Sequence, residues 1–216
     1  MGRKERGGEV MKQSRKKVKQ AKPCLLDLFC GAGGAAKGYL DAGWSVVGVD
    51  VRKQPRYPGV FVQADALAYV GKFATPDLMP QVRMALEATG KPWIIENVRG
   101  APFCRPCVML CGLMFGLPLF RHRLFESNCL LLTPVHPSHA GKRIGENGFC
   151  CVAGHGGQWT GYASNFTRKR LPKEVTRVAA WRQAMGIDWM TRDELSQALP
   201  PDYTHYLGGQ LLAFVE

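Results

Sequence analysis

Short apolar runs separated by glycine and proline dominate the first half of the chain. Residues 24–29 read Cys-Leu-Leu-Asp-Leu-Phe, an almost wholly apolar run between Pro23 and a glycine cluster. That pattern predicts a strand buried on both faces of a parallel sheet. Gly31, Gly33 and Gly34 follow, then a helix former from Ala35 to Ala42, stopped by Gly43. Ser45 to Asp50 predicts a second strand, and Val60 to Val62, followed by Asp65, a third. From Asp77 to Glu87 the apolar residues fall at helical spacing, with Leu78, Val82, Ala85 and Leu86 on one side. Gly90 and Pro92 end that helix. Trp93 to Val98 predicts another buried strand.

The middle of the chain loses this regularity. Residues 99–118 read as loop, with Pro102, Pro106 and Pro118 and cysteines at 104, 107 and 111. Residues 121–126 are Arg-His-Arg-Leu-Phe-Glu; if extended, Arg121 and Arg123 share a face and His122 takes the other. Glycines and histidines crowd residues 133–157, and aromatic and basic residues then interleave through Trp159, Tyr162, Phe166, Arg168, Lys169 and Arg170. This predicts a small loop-built lobe with a surface suited to a partner. Helical patterns return at Glu174–Met185, at Leu195–Leu199 behind a capping box of Thr191 and Glu194, and at Tyr206–Phe214. The resulting division is a basic arm at 1–22, a catalytic domain at 23–128, a recognition lobe at 129–173 and closing helices at 174–216.

Chemistry collects at the ends of the predicted strands. Strand, glycine loop, helix and a second strand ending in Asp50 form the opening half of a nucleotide-binding α/β unit, although the glycines depart from the usual dinucleotide spacing. A carboxylate at such a strand end can accept hydrogen bonds from two ribose hydroxyls. Glu96 ends its strand in the same way, and a carboxylate there is costly unless it faces a crevice. Cys104-x2-Cys107 is half of a zinc spacing, which Cys150, Cys151 and His155 could complete; Cys107-x3-Cys111 competes with it. The adjacent pair suits a tetrahedral site poorly, so independent thiols are the preferred reading and no metal is assigned.

The formal net charge is +12. Nine basic and two acidic groups fall in residues 1–22, a net of +7 that leaves +5 for the remaining 194 residues. Such an arm fits phosphate contacts, and the body suits a polyanionic substrate. No apolar run approaches the roughly 20 residues of a membrane span, and the basic N-terminus lacks the apolar stretch of a secretory signal. The chain is expected to be cytoplasmic, with reduced cysteines.

Asp27-Leu-Phe-Cys-Gly-Ala-Gly-Gly34 resembles the first motif of the DNA (cytosine-5) methyltransferases, and Glu96-Asn97-Val98 resembles their Glu-Asn-Val motif. Arg121-His-Arg123 is similar to their arginine motif, with Leu119 where a glutamine is usual. Leu199-Pro-Pro-Asp-Tyr203 and Leu207-Gly208 resemble the late motifs, with Gly208-Gly209 in place of Gly-Asn. The likeness is closest to compact phage-type members. It implies a Rossmann-like S-adenosylmethionine-dependent methyltransferase fold with a small loop-rich lobe, and double-stranded DNA as partner. It also implies roles. Phe29, Gly31 and Gly33 would line S-adenosylmethionine, Asp50 would take its ribose and Asp65 its adenine amino group. Glu96 would hold or protonate N3 of a flipped-out cytosine, with Arg121 and Arg123 beside the base and Arg123 at its carbonyl oxygen.

One departure is severe. The family places a strand and a Pro-Cys loop carrying the nucleophile between the positions of Asp65 and Glu96. Here the 30 intervening residues contain no cysteine and no apolar run for a strand. The fold is therefore expected to be shortened by about one strand. Two functions compete: transfer of a methyl group to C5 of cytosine, or a defective homologue that binds cofactor or DNA without transfer. An amino-group methyltransferase is disfavoured, because no Asp/Asn-Pro-Pro-aromatic motif stands in the right setting.

Overall fold

The computed structural model describes residues 21–70, 78–144, 146–152 and 176–215, without the side chains of residues 69 and 70. Most of the basic arm, the interleaved stretch from Trp159 to Arg170 and the first residues of the Glu174–Met185 helix lie outside these. The strands are β1 (Cys24–Leu28), β2 (Ser45–Asp50), β3 (Val60–Gln63), β4 (Ile94–Asn97), β5 (Cys107–Leu110) and β6 (Arg123–Ser127). The helices are α1 (Gly34–Asp41), α2 (Ala66–Val70), α3 (Leu78–Ala88), α4 (Arg177–Met185), α5 (Arg192–Gln197) and α6 (Pro201–Leu211).

The strands form two sheets. One is parallel, in the order β1-β2-β3, with Leu25 beside Val46 and Asp50 beside Gln63. The other is antiparallel, in the order β4-β6-β5, with Glu96 opposite Phe125 and Cys107 opposite Glu126. Among the described residues nothing pairs with the outer edge of β1 or of β4. The interval that lacks a strand in sequence thus coincides with a break between two half-sheets.

The closing helix joins the halves. Its Leu211 packs with Ala36, Tyr39, Trp44 and Val46 of the parallel half, while its Tyr203 and Leu207 pack with Leu110 and Phe125 of the antiparallel half. Ile94 borders both clusters. Thr204 Oγ1 donates to Ala35 O at 2.8 Å, and Trp44 Nε1 donates to Gly208 O at 2.9 Å.

Two elements differ from the sequence pattern. β5 lies in the stretch read as loop, because Cys107–Leu110 gains its ladder from β6 and not from a long apolar run of its own. The closing helix starts at Pro201, five residues before the predicted start. Proline suits a first helical turn, where its missing N–H would have no intrahelical partner. Gly208 lies within that helix because a Cβ there would approach Tyr39 to 2.9 Å and Ala42 to 3.0 Å. The capping box at Thr191 and Glu194 forms with both hydrogen bonds present.

Candidate functional site

In the parallel half, chain geometry at the end of β1 builds a cradle. Phe29 takes φ +55°, a conformation that costs a non-glycine residue energy and that recurs at functional sites. The residue is 47% exposed, open to a ligand. Gly31 (φ +49°) has open space where a Cβ would stand. Gly33 (φ +82°) caps α1 and packs against Pro58 and Tyr57, so no larger residue fits there. Asp50 at the end of β2 accepts from Gly31 N at 3.0 Å and from Arg52 N at 2.8 Å. Two bonds leave further accepting positions on that carboxylate, which offers about four. The open glycine, the exposed ring and the unsaturated carboxylate fit a nucleoside-bearing ligand. Asp65 stands apart, at the start of α2, where it is exposed and accepts from Leu67 N at 3.0 Å.

The sequence reading missed Asp27. Burial pushes its carboxyl up to about 7; the Tyr57 hydroxyl, donating at 3.1 Å, pulls it back, and the charge of Asp50 adds to the rise. The signal was there: a carboxylate inside an otherwise apolar strand needs a reason. Cys30 beside it is no nucleophile, since burial and the two aspartates push its thiol far up. In α1, burial first and then the charges of Asp27 and Glu96 raise the phenol of Tyr39.

In the antiparallel half, Glu96 and Arg123 point from the same sheet face, and Arg123 Nε lies 2.9 Å from Glu96 Oε1. Burial raises the Glu96 carboxyl, while Arg123 and then Arg121 hold it down. Arg121 is brought to the same place but is committed to the framework. It is 7% exposed, donating to Val152 O at 2.8 Å and to Ser196 O at 2.9 Å. Its carbonyl accepts from Tyr203 Oη at 2.6 Å. Burial, with the like charge of Arg123, lowers its pKa to about 10. A cleft of about 510 Å³ opens here, lined by Arg99, Phe120, Arg121, His122, Arg123 and Val152 among others.

The cysteines sort by sheet face. Directly opposed residues of an antiparallel pair share a face, so Cys107 lies with Glu126 and Glu96 with Phe125, on opposite sides of the sheet. Glu126 is fully buried and accepts from Arg83 Nε at 2.8 Å and Nη2 at 2.7 Å. On that face, burial and the charge of Glu126 push the Cys107 thiol up, while Arg83 pulls it down. The thiol within the field of Arg121 is Cys151, which burial pushes up and Arg121 pulls down. All eight cysteines are free thiols. The half-zinc spacing at Cys104 and Cys107 gathers no ligand cluster among the described residues; the cluster that exists is Cys111, His122, His136 and His139.

No protein-family model and no curated protein matches the sequence. Solved structures are similar in fold. The Dnmt2 methyltransferase of S. pombe superposes with a TM-score of 0.57 at 12% identity, over 90% of this chain and 100% of that one. A DNA modification methyltransferase encoded within a prophage (E. coli) gives 0.56 at 11% identity, over 90% and 99%. The chain is mixed α/β with a parallel sheet, and its fold is that of these methyltransferases. No helix among the described residues is long and apolar enough to cross a membrane.

Proposed function

We propose that this chain is a DNA cytosine-5 methyltransferase homologue that binds S-adenosylmethionine at the β1–β2 crevice and double-stranded DNA at the arginine cleft, and that it does not transfer the methyl group. The carrying observation is that Glu96 and Arg123 form an ion pair beside the cleft with no nucleophilic thiol in the 30-residue interval before them.

Gly31 and Phe29 would flank the cofactor, and Asp50 would take its ribose hydroxyls. Asp65 would meet its adenine amino group. When bound, S-adenosylmethionine supplies an electrophilic methyl group on a sulfonium. The raised carboxyl of Glu96 keeps a proton to higher pH than an ordinary glutamate, which suits a hydrogen bond to N3 of cytosine. Arg123, anchored through Nη1 to His122 O at 2.9 Å, offers a guanidinium to the carbonyl oxygen of the base. Arg121 positions that strand through its two backbone acceptors. C5 of cytosine is a poor nucleophile until a thiolate bonds to C6. Glu96 cannot supply that bond, and a guanidinium has no basic lone pair with which to attack carbon.

The competing reading is an active cytosine-5 methyltransferase with a relocated nucleophile. Cys151 is the thiol it would draw on: burial, the larger cause, leaves it raised, although Arg121 pulls it down. Calorimetry with S-adenosylmethionine, and transfer of its labelled methyl group to mixed-sequence double-stranded DNA, test the proposal together. Cofactor binding without label in DNA is expected. Label in DNA that disappears in Cys151→Ser would establish the competing reading, and absence of cofactor binding at millimolar concentration would refute both.

A further inference from the structure

Cys111, His122, His136 and His139 come from three separate stretches of chain: the end of β5, the approach to β6 and the coil that follows β6. Their ligand atoms all lie within 4.8 Å of one another. Cys111 Sγ is 3.5 Å from His139 Nε2, and His122 Nε2 is 3.2 Å from His136 Nε2. We propose that these four residues form a tetrahedral binding site for a divalent zinc ion.

The spacing matches the chemistry. Zinc–nitrogen bonds near 2.0 Å and zinc–sulfur bonds near 2.3 Å place neighbouring ligand atoms of a tetrahedron about 3.3 Å apart for two nitrogens and about 3.6 Å for nitrogen and sulfur. The Cys111–His139 and His122–His136 pairs already meet those values. One thiolate and three imidazoles, with no carboxylate among them, favour zinc over the oxygen-seeking calcium and magnesium. The alternative, two isolated hydrogen bonds of His122 to His136 and Cys111 to His139, gives no reason for all four groups to converge. The three imidazoles stand with ring centroids 4.9–5.4 Å apart. Phe120 covers the site on one side, its ring 4.5 Å from that of His139 and 5.1 Å from that of Phe149.

The surrounding chain shows why a metal would matter. Residues 128–139 contain no helix or strand. Leu130, Leu132 and Val135 are 76%, 62% and 90% exposed, and Leu131 is the one buried residue of this coil, so burial ties it down at a single point. A glutamine of α6 makes two bonds to Leu132, Leu132 N donating to Gln210 Oε1 at 2.7 Å and Gln210 Nε2 donating to Leu132 O at 3.2 Å. A metal joining His136 and His139 to Cys111 and His122 would staple the coil to the antiparallel sheet, as structural zinc does where a core is thin. It would also fix His122 between the two cleft arginines, and would withdraw Cys111 from any role as a nucleophile.

The test uses the full chain, loaded with zinc chloride, freed of excess by gel filtration and assayed by elemental mass spectrometry. One zinc per chain is expected, falling to background in Cys111→Ser and His136→Ala and unchanged in Cys104→Ser. Because a ligand variant can also misfold, His139→Cys provides a rescue: it keeps a ligand atom and should retain zinc where His139→Ala loses it. Cobalt(II) substitution should give the visible bands of a tetrahedral ion together with a thiolate charge-transfer band that Cys111→Ser abolishes. A wild-type chain that retains no zinc after loading would overturn the proposal. So would zinc retained equally by Cys111→Ser and His136→Ala, or a cobalt spectrum without thiolate character.

Discussion

The two half-sheets treat their acids in opposite ways. In the antiparallel half each carboxylate at issue meets a guanidinium, Glu126 that of Arg83 and Glu96 that of Arg123. In the parallel half Asp27 is met by a tyrosine hydroxyl and Asp50 by backbone N–H groups, and the two aspartates repel each other. Paired charge suits a framework, as at Glu126, whereas at Glu96 burial still raises the carboxyl against its pairing. Acids answered only by neutral donors are costly in the free protein and gain when a cation arrives. S-adenosylmethionine is such a cation. Under the proposed function this difference would suit cofactor binding in one half and base holding in the other, with α6 as the joint.

The sharpest way to break this contrast is to remove one acid from each half. Glu126→Ala leaves Arg83 buried and unpaired, and should cost about 3–5 kcal/mol in urea unfolding. Asp27→Asn, by contrast, should stabilise the free protein. Its carboxyl keeps a proton to about pH 7 when folded and releases it near 3.8 when unfolded. The folded state thus holds more protons between those values, so stability falls as pH rises from about 4 to about 7. The melting temperature of Asp27→Asn should gain on wild type across that window and keep the gain above it. Equal losses from both variants would erase the distinction between the halves.

The joint is tested next. A Cβ on Gly38 of α1 would run into Pro201 O and Thr204 Oγ1 of α6. Gly38→Val should destabilise by about 1–3 kcal/mol, or more if the helices separate. Differing transitions for tryptophan fluorescence and far-ultraviolet dichroism would show the halves uncoupling. A smaller effect concerns Asp50: Asp50→Asn keeps one accepting oxygen, and should weaken S-adenosylmethionine binding about tenfold (about 1.4 kcal/mol) while leaving DNA affinity unchanged. The smallest concerns the basic arm. Deleting residues 2–22 should flatten the dependence of log affinity on log salt, by about 0.9 for each phosphate that the arm neutralises, and leave any sequence preference in place. An unchanged slope would mean that other parts of the chain neutralise the phosphates.

The parallel half was legible because its information is local. An apolar run, a glycine loop and a terminal acid specify β1, the cradle and β2 without knowledge of distant partners, and Thr191 with Glu194 announces its own helix start. The antiparallel half was half legible. Glu96 and Arg123 could be named, but nothing local shows that Arg121 spends its guanidinium on Val152 and Ser196, or that Cys107 faces away from Glu96. Those outcomes depend on strand register and on chain more than 70 residues away. The Cys111, His122, His136 and His139 cluster was invisible for the same reason, since its spacing is irregular and only the fold brings it together. The absence of a cysteine between Asp65 and Glu96 was plain in sequence; the break between the half-sheets is its structural counterpart.

The central claim is that cofactor and base can be held while the covalent step is lost. Double-stranded DNA containing 5-fluorocytosine tests it most directly, because the fluorine blocks the final elimination and traps any thiol adduct at C6. Saturated with S-adenosylmethionine, the protein is expected to form no protein–DNA complex that survives detergent, although it binds both ligands. A detergent-stable complex, with the adduct mapped to Cys151 or any other of the eight cysteines, would contradict it.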